Sequence, residues 1–74
     1  MITQHDMTLR FIASNGYDVT SNTDLEKALE WIKTTSAENL VFGSTGYQCD
    51  IELGEIRRPM LINAVKNELN KLSN

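Results

Sequence analysis

The 74-residue sequence predicts one small α+β domain, spanning residues 1–74, in which three helices pack on a two- to three-stranded antiparallel sheet. Three observations predict it. A capping box at Thr23–Glu26 precedes apolar residues at helical spacing. The apolar run Leu40-Val41-Phe42 is followed by strict alternation from Tyr47 to Leu53. Pro59 then opens a segment with a broad apolar face. The predicted order is helix, short strand, helix, hairpin, helix.

The first helix is expected over residues 4–14. Thr3 is placed as its N-cap, and Asp6 sits three positions on, where a carboxylate satisfies the cap and suits the helix dipole. Ile2 and Met7 flank that cap at hydrophobic-staple spacing. Gly16 offers a left-handed ending, with Tyr17 able to pack back on Ile12. A second reading stays open: Leu9, Phe11 and Ala13 alternate, and Asn15-Gly16 is a hairpin-turn dipeptide. Ile12 falls on the wrong face of that strand, so the helix is preferred.

Tyr17–Thr20 reads as a short extended piece at a sheet edge. The second helix is expected over 24–34, with Thr23 as its cap and a stripe of Leu25, Ala28, Leu29 and Ile32 at i, i+3, i+4 and i+7. Trp31 widens the stripe, and Thr34-Thr35-Ser36 ends the helix by competing for its backbone hydrogen bonds.

Residues 39–43 fit a short buried strand, and Ser44-Thr45-Gly46 a turn. Tyr47, Cys49, Ile51 and Leu53 then alternate with Gln48, Asp50 and Glu52, as in a half-buried strand. Two strands so close in sequence pair as an antiparallel hairpin. Gly54 breaks the second strand, and Pro59 opens the last helix. Leu61, Ile62, Val65, Leu69 and Leu72 form its face, broadened by Met60 and Ala64.

Composition narrows the function classes. The net charge is −3, with five acids against three bases in residues 1–37 and five against four in residues 38–74. No basic patch of the kind nucleic acid recruits is visible. Cys49 is the single cysteine, which argues against a disulfide scaffold and for a reducing, cytoplasmic setting. No signal peptide is evident at the N-terminus, and no apolar run reaches the roughly 18 residues a membrane span requires. A domain of this size is short of core, so good packing or self-association must compensate.

No constellation promises catalysis. Cys49 with His5 is the one available Cys–His pair, but Cys49 falls on the apolar face of its strand and His5 in an exposed first helical turn. Asp50 and Glu52 share a strand face, better explained as a solvated surface than as a cation site. Gly43-Ser44-Thr45-Gly46 lacks the Lys of a phosphate loop. Arg57-Arg58, the one basic pair, precedes Pro59 at a helix start, where the dipole disfavours cations; pairing with nearby Glu52 or Glu55 is the preferred explanation, and an anion or acidic partner that relieves the conflict is the other.

The order of elements resembles that of winged-helix DNA binders, in which helices precede a strand hairpin. The sequence departs from that pattern where it matters. No basic recognition helix precedes the hairpin, and residues 44–46 carry no Lys or Arg. The expectation is therefore a non-enzymatic domain without cofactor or metal, a modulator or inhibitor that docks on a larger protein, with a homodimer as one form. The candidate contact residues are Trp31, Arg57, Arg58, Met60, Leu61, Asp50 and Glu52. A nucleic-acid-binding regulatory module using Arg57, Arg58, Lys66 and Lys71 is the alternative.

Overall fold

The computed structural model describes residues 2–73 and contains helices only. Helix α1 is Gln4–Ser14, α2 is Asn22–Thr34, a 3-10 turn covers Ala37–Leu40, and α3 is Gln48–Ser73. There is no strand among the described residues. The predicted sheet is therefore wrong, and the fold is all-α rather than α+β.

Helix α1 has the predicted bounds and cap. The Thr3 side chain accepts from the Asp6 N–H, and Asp6 in turn accepts from the Thr3 N–H, a closed capping box. Gly16 takes a φ of 94° just after the helix, a conformation that suits a residue without Cβ. This disposes of the hairpin reading at Asn15-Gly16.

Tyr17–Thr20 is a turn, not a strand. The Asp18 carboxylate accepts from the Thr20 N–H at 2.9 Å, while the Asp18 N–H donates to Asp24 Oδ2 at 2.8 Å. Backbone groups that a sheet edge would have paired are thus satisfied by side chains. Helix α2 begins two residues earlier than predicted, because Ser21 rather than Thr23 is its cap. Its stripe is as predicted: Leu25, Ala28 and Ile32 are buried.

The largest departure lies between residues 37 and 59. The apolar run contributes Leu40 to the core, while Phe42 projects outward, 78% exposed. The alternating segment is the first two turns of α3, which runs unbroken through Gly54 and Pro59. Gly54 and Leu61 are two turns apart on one face, and Ala64 and Val65 continue it. Gly54 is not a strand breaker. It lies where the backbone of Ala37 presses on the helix, so close that an added Cβ would sit 1.9 Å from the Ala37 carbonyl oxygen. Pro59 lies inside the helix on its exposed side rather than at its start.

All other elements pack on α3. The core is a single cluster of Phe11, Ile12, Leu25, Ala28, Ile32, Leu40, Leu61 and Val65, bordered by Tyr17, Trp31 and Leu69 among others. Burying each large aliphatic side chain there contributes about 1.5–3 kcal/mol.

Candidate functional site: the groove between α1 and α3

Several large apolar side chains stay outside that core and gather in one place. Met7 of α1, Phe42 after the 3-10 turn, and Leu53, Ile56 and Met60 of α3 line, with the core residue Phe11, a groove of about 810 Å³. Met7, Phe42, Leu53 and Ile56 are all exposed large hydrophobics. Local sequence explains each wall. Met7 and Phe11 are four residues apart on α1; Leu53, Ile56 and Met60 follow at i, i+3 and i+7 on α3, which places each set on one helical face. Contiguous exposed apolar patches recur at protein contacts, membrane contacts and ligand grooves.

Polar groups around the groove are mostly occupied. The Thr8 hydroxyl donates to the Gln4 carbonyl at 2.9 Å, and the Ser14 hydroxyl to the Phe11 carbonyl at 2.7 Å. The Gln4 amide donates to Met60 Sδ at 3.0 Å. The two charged residues of the lining are Arg10 and Arg57, one on each helix. Arg57 Cζ lies 4.9 Å above the centroid of the Phe11 ring, a cation–π contact. Among the described residues no carboxylate lies within ion-pair distance of either guanidinium.

The residues singled out from the sequence divide between this groove and elsewhere. Arg57 and Met60 are in it. Leu61 is not available for contact, because it is fully buried in the core. Trp31 is half-buried and stacks at a tilt on Tyr17, with ring centroids 5.9 Å apart. Arg58 does not crowd a helix start. It donates to the Ile32 carbonyl at 2.6 Å and pairs with Glu55 at 2.8 Å, satisfying a carbonyl that the end of α2 leaves free, where a cation suits the dipole.

Asp50 and Glu52 no longer share a face, since residues two apart on a helix point apart. Asp50 instead accepts from the Thr45 N–H at 2.9 Å and the Thr45 hydroxyl at 2.8 Å, fastening the incoming loop to the first turn of α3. Those bonds hold its carboxyl below the usual range. Glu52 is exposed and joins no ion pair among the described residues.

The two residues weighed for nucleophilic chemistry also move. Cys49 is exposed rather than buried. His5 is not a solvated bystander: its Nε2 lies 2.7 Å from Glu68 Oε1, and a carboxylate can only accept, so Nε2 carries the proton. Lys71 joins the same carboxylate at 3.2 Å. From residue 49 to residue 68 an α-helix rises roughly 28 Å, so His5, held at Glu68, is far from Cys49. Among the described residues no three His, Cys, Asp or Glu side chains converge as metal ligands.

The basic residues proposed for nucleic acid are likewise dispersed, with Arg58 and Lys71 in ion pairs and Arg57 over Phe11. The hairpin behind the winged-helix resemblance is absent. No described helix is long and apolar enough to cross a membrane. Comparison with protein-family models, with curated proteins and with solved structures returns no match for this chain.

Proposed function

We propose that this chain is a non-enzymatic interaction domain that docks on a larger protein through the α1–α3 groove, acting as a modulator of that protein in the reducing cytoplasm. One observation carries the reading. A small chain with little core leaves Met7, Phe42, Leu53 and Ile56 exposed, and the four line one groove. Scattered exposed apolar residues are ordinary, whereas a clustered set is not.

Quantitative affinity capture from lysate of the source cells tests it, with the Ile56→Asp variant run beside the wild type. Ile56 is 72% exposed, so the variant keeps its fold, which circular dichroism checks. Proteins retained by the wild type should be lost by Ile56→Asp and kept by a Lys66→Asp control on another exposed position. Identical sets from all three would rule the groove out as the docking surface.

A further inference from the structure

We propose that the groove's partner is an amphipathic helix with acidic flanks, whose carboxylates pair with Arg10 and Arg57. This rests on the groove being the docking surface and adds the chemistry of what docks.

Charge decides the occupant. The chain as a whole is acidic, at −3, yet the groove carries two arginines and no carboxylate. Asp6 stands one turn before Arg10 and feels its charge, but its carboxylate hydrogen-bonds in the Thr3 capping box and makes no ion pair with Arg10. The Thr8 and Ser14 hydroxyls donate within the protein, and the Gln4 amide uses one of its two N–H groups on Met60. The charged donors of the lining are therefore guanidinium groups, which match carboxylates in bidentate fashion. Arg10 belongs to α1 and Arg57 to α3, and Arg57 reaches over the Phe11 ring of α1. A ligand that satisfies both and covers the apolar lining needs an apolar stripe bordered by acids, which is the pattern of an amphipathic helix.

Shape agrees with charge. The α1 wall runs from Gln4 to Ser14, which at 1.5 Å per residue is roughly 15 Å, the length of about three helical turns. The rim of the groove is formed by the exposed Met7, Phe42, Leu53 and Ile56 and its floor by the buried Thr8 and Phe11.

A second copy of this chain fits poorly. A two-fold interface sets the same patch against itself, which brings Arg10 and Arg57 towards Arg10 and Arg57 with no acid from the lining between them. Helix α2 carries Glu26 and Glu30, but its apolar stripe of Leu25, Ala28 and Ile32 is already buried in the core.

Two synthetic peptides of about 15 residues separate the possibilities. Both carry Leu at i, i+3, i+4 and i+7 and are stapled to hold the helix. One has Glu at the flanking positions, the other Lys. Binding is read by fluorescence anisotropy at low and high salt, with amide chemical shifts locating the site. The Glu peptide should bind at least about tenfold more tightly than the Lys peptide, lose affinity with salt, and shift the amides of Met7, Phe11 and Ile56. The Arg10→Glu, Arg57→Glu double variant should reverse the preference.

Equal binding of both peptides, abolished by Ile56→Asp, would overturn the acidic partner while leaving the groove as a docking surface. Shifts confined to residues outside the groove, or no binding by either peptide, would overturn the acidic helix, and the groove itself then stands or falls with the Ile56→Asp capture. A dimer in sedimentation velocity that Ile56→Asp dissolves would replace the acidic helix with a second copy.

Discussion

Gly54 is the residue on which the fold turns. Its missing side chain lets the Ala37–Leu40 turn lie directly on α3, with Ala37 and Leu40 both buried. A methyl group there would meet backbone, not the flexible end of a side chain, so the neighbour cannot yield cheaply. Gly54→Ala should therefore destabilise the protein by about 3 kcal/mol or more, despite the better helix propensity of Ala. Urea denaturation measures it, and an increase in stability would show that the turn does not rest on this position. Residue-scale signals of this kind are poorly legible in sequence. The Thr3–Asp6 box could be read because a cap is made by neighbours within four residues. The partnership of His5 with Glu68 joins residues 63 apart, and nothing near His5 announces it. The exposure of Cys49 depends on which helix face meets the core, which is equally a tertiary fact.

Helix α3 shows why the sheet was predicted and is absent. Tyr47, Cys49, Ile51 and Leu53 alternate, but Glu52, Leu53, Glu55, Arg57, Arg58, Met60 and Leu61 are good helix formers. Gly54 and Pro59 interrupt that run and mimic element boundaries. Seen as one helix, Gly54, Leu61 and Val65 share a buried stripe, and Leu53, Ile56 and Met60 share the groove face beside it. Half of the groove was thus legible only after the period was known, because period 2 and period 3.6 select different faces from the same letters. The elements whose evidence is local, α1 and α2, were readable to within two residues. Pro59 supplies the test of element assignment. Inside a helix it forfeits the bond to the Glu55 carbonyl, a loss of up to about 3 kcal/mol relative to Ala. Pro59→Ala should stabilise the chain by about 1–3 kcal/mol and leave its far-ultraviolet dichroism unchanged. At a helix start the same change would be neutral or slightly unfavourable, so a loss of stability would restore the shorter helix.

For the molecule as a whole, the attachment of α1 matters most, since α1 forms one wall of the groove and packs more lightly on α3 than α2 does. Phe11 and Ile12 anchor it in the core, and the His5–Glu68 pair ties its first turn to the far part of α3. The hydrogen bond from His5, aided by Lys71, holds the Glu68 carboxyl below its ordinary value of 4.5. A carboxyl depressed in the folded state stabilises the fold at all pH above its unfolded value, and that stabilisation is lost as pH falls through the folded one. The pair is partly exposed, with His5 at 33%, so its contribution is about 0.5–1 kcal/mol. Stability in urea should be level just above pH 4.5 as far as this group is concerned, then decline below it. Glu68→Gln keeps an acceptor for Nε2 but removes the titrating charge, and should make the acid decline shallower. It should not abolish it, because Asp6, Asp18 and Asp50 are lowered as well by their hydrogen bonds to Thr3, Thr20 and Thr45. Hydrogen exchange locates the effect. In acid the amides of α1 should lose protection before those of α2, and Glu68→Gln should narrow the difference. If α1 and α2 instead lose protection together, the His5–Glu68 pair does not govern how α1 is held, and the groove keeps its shape until the whole domain unfolds.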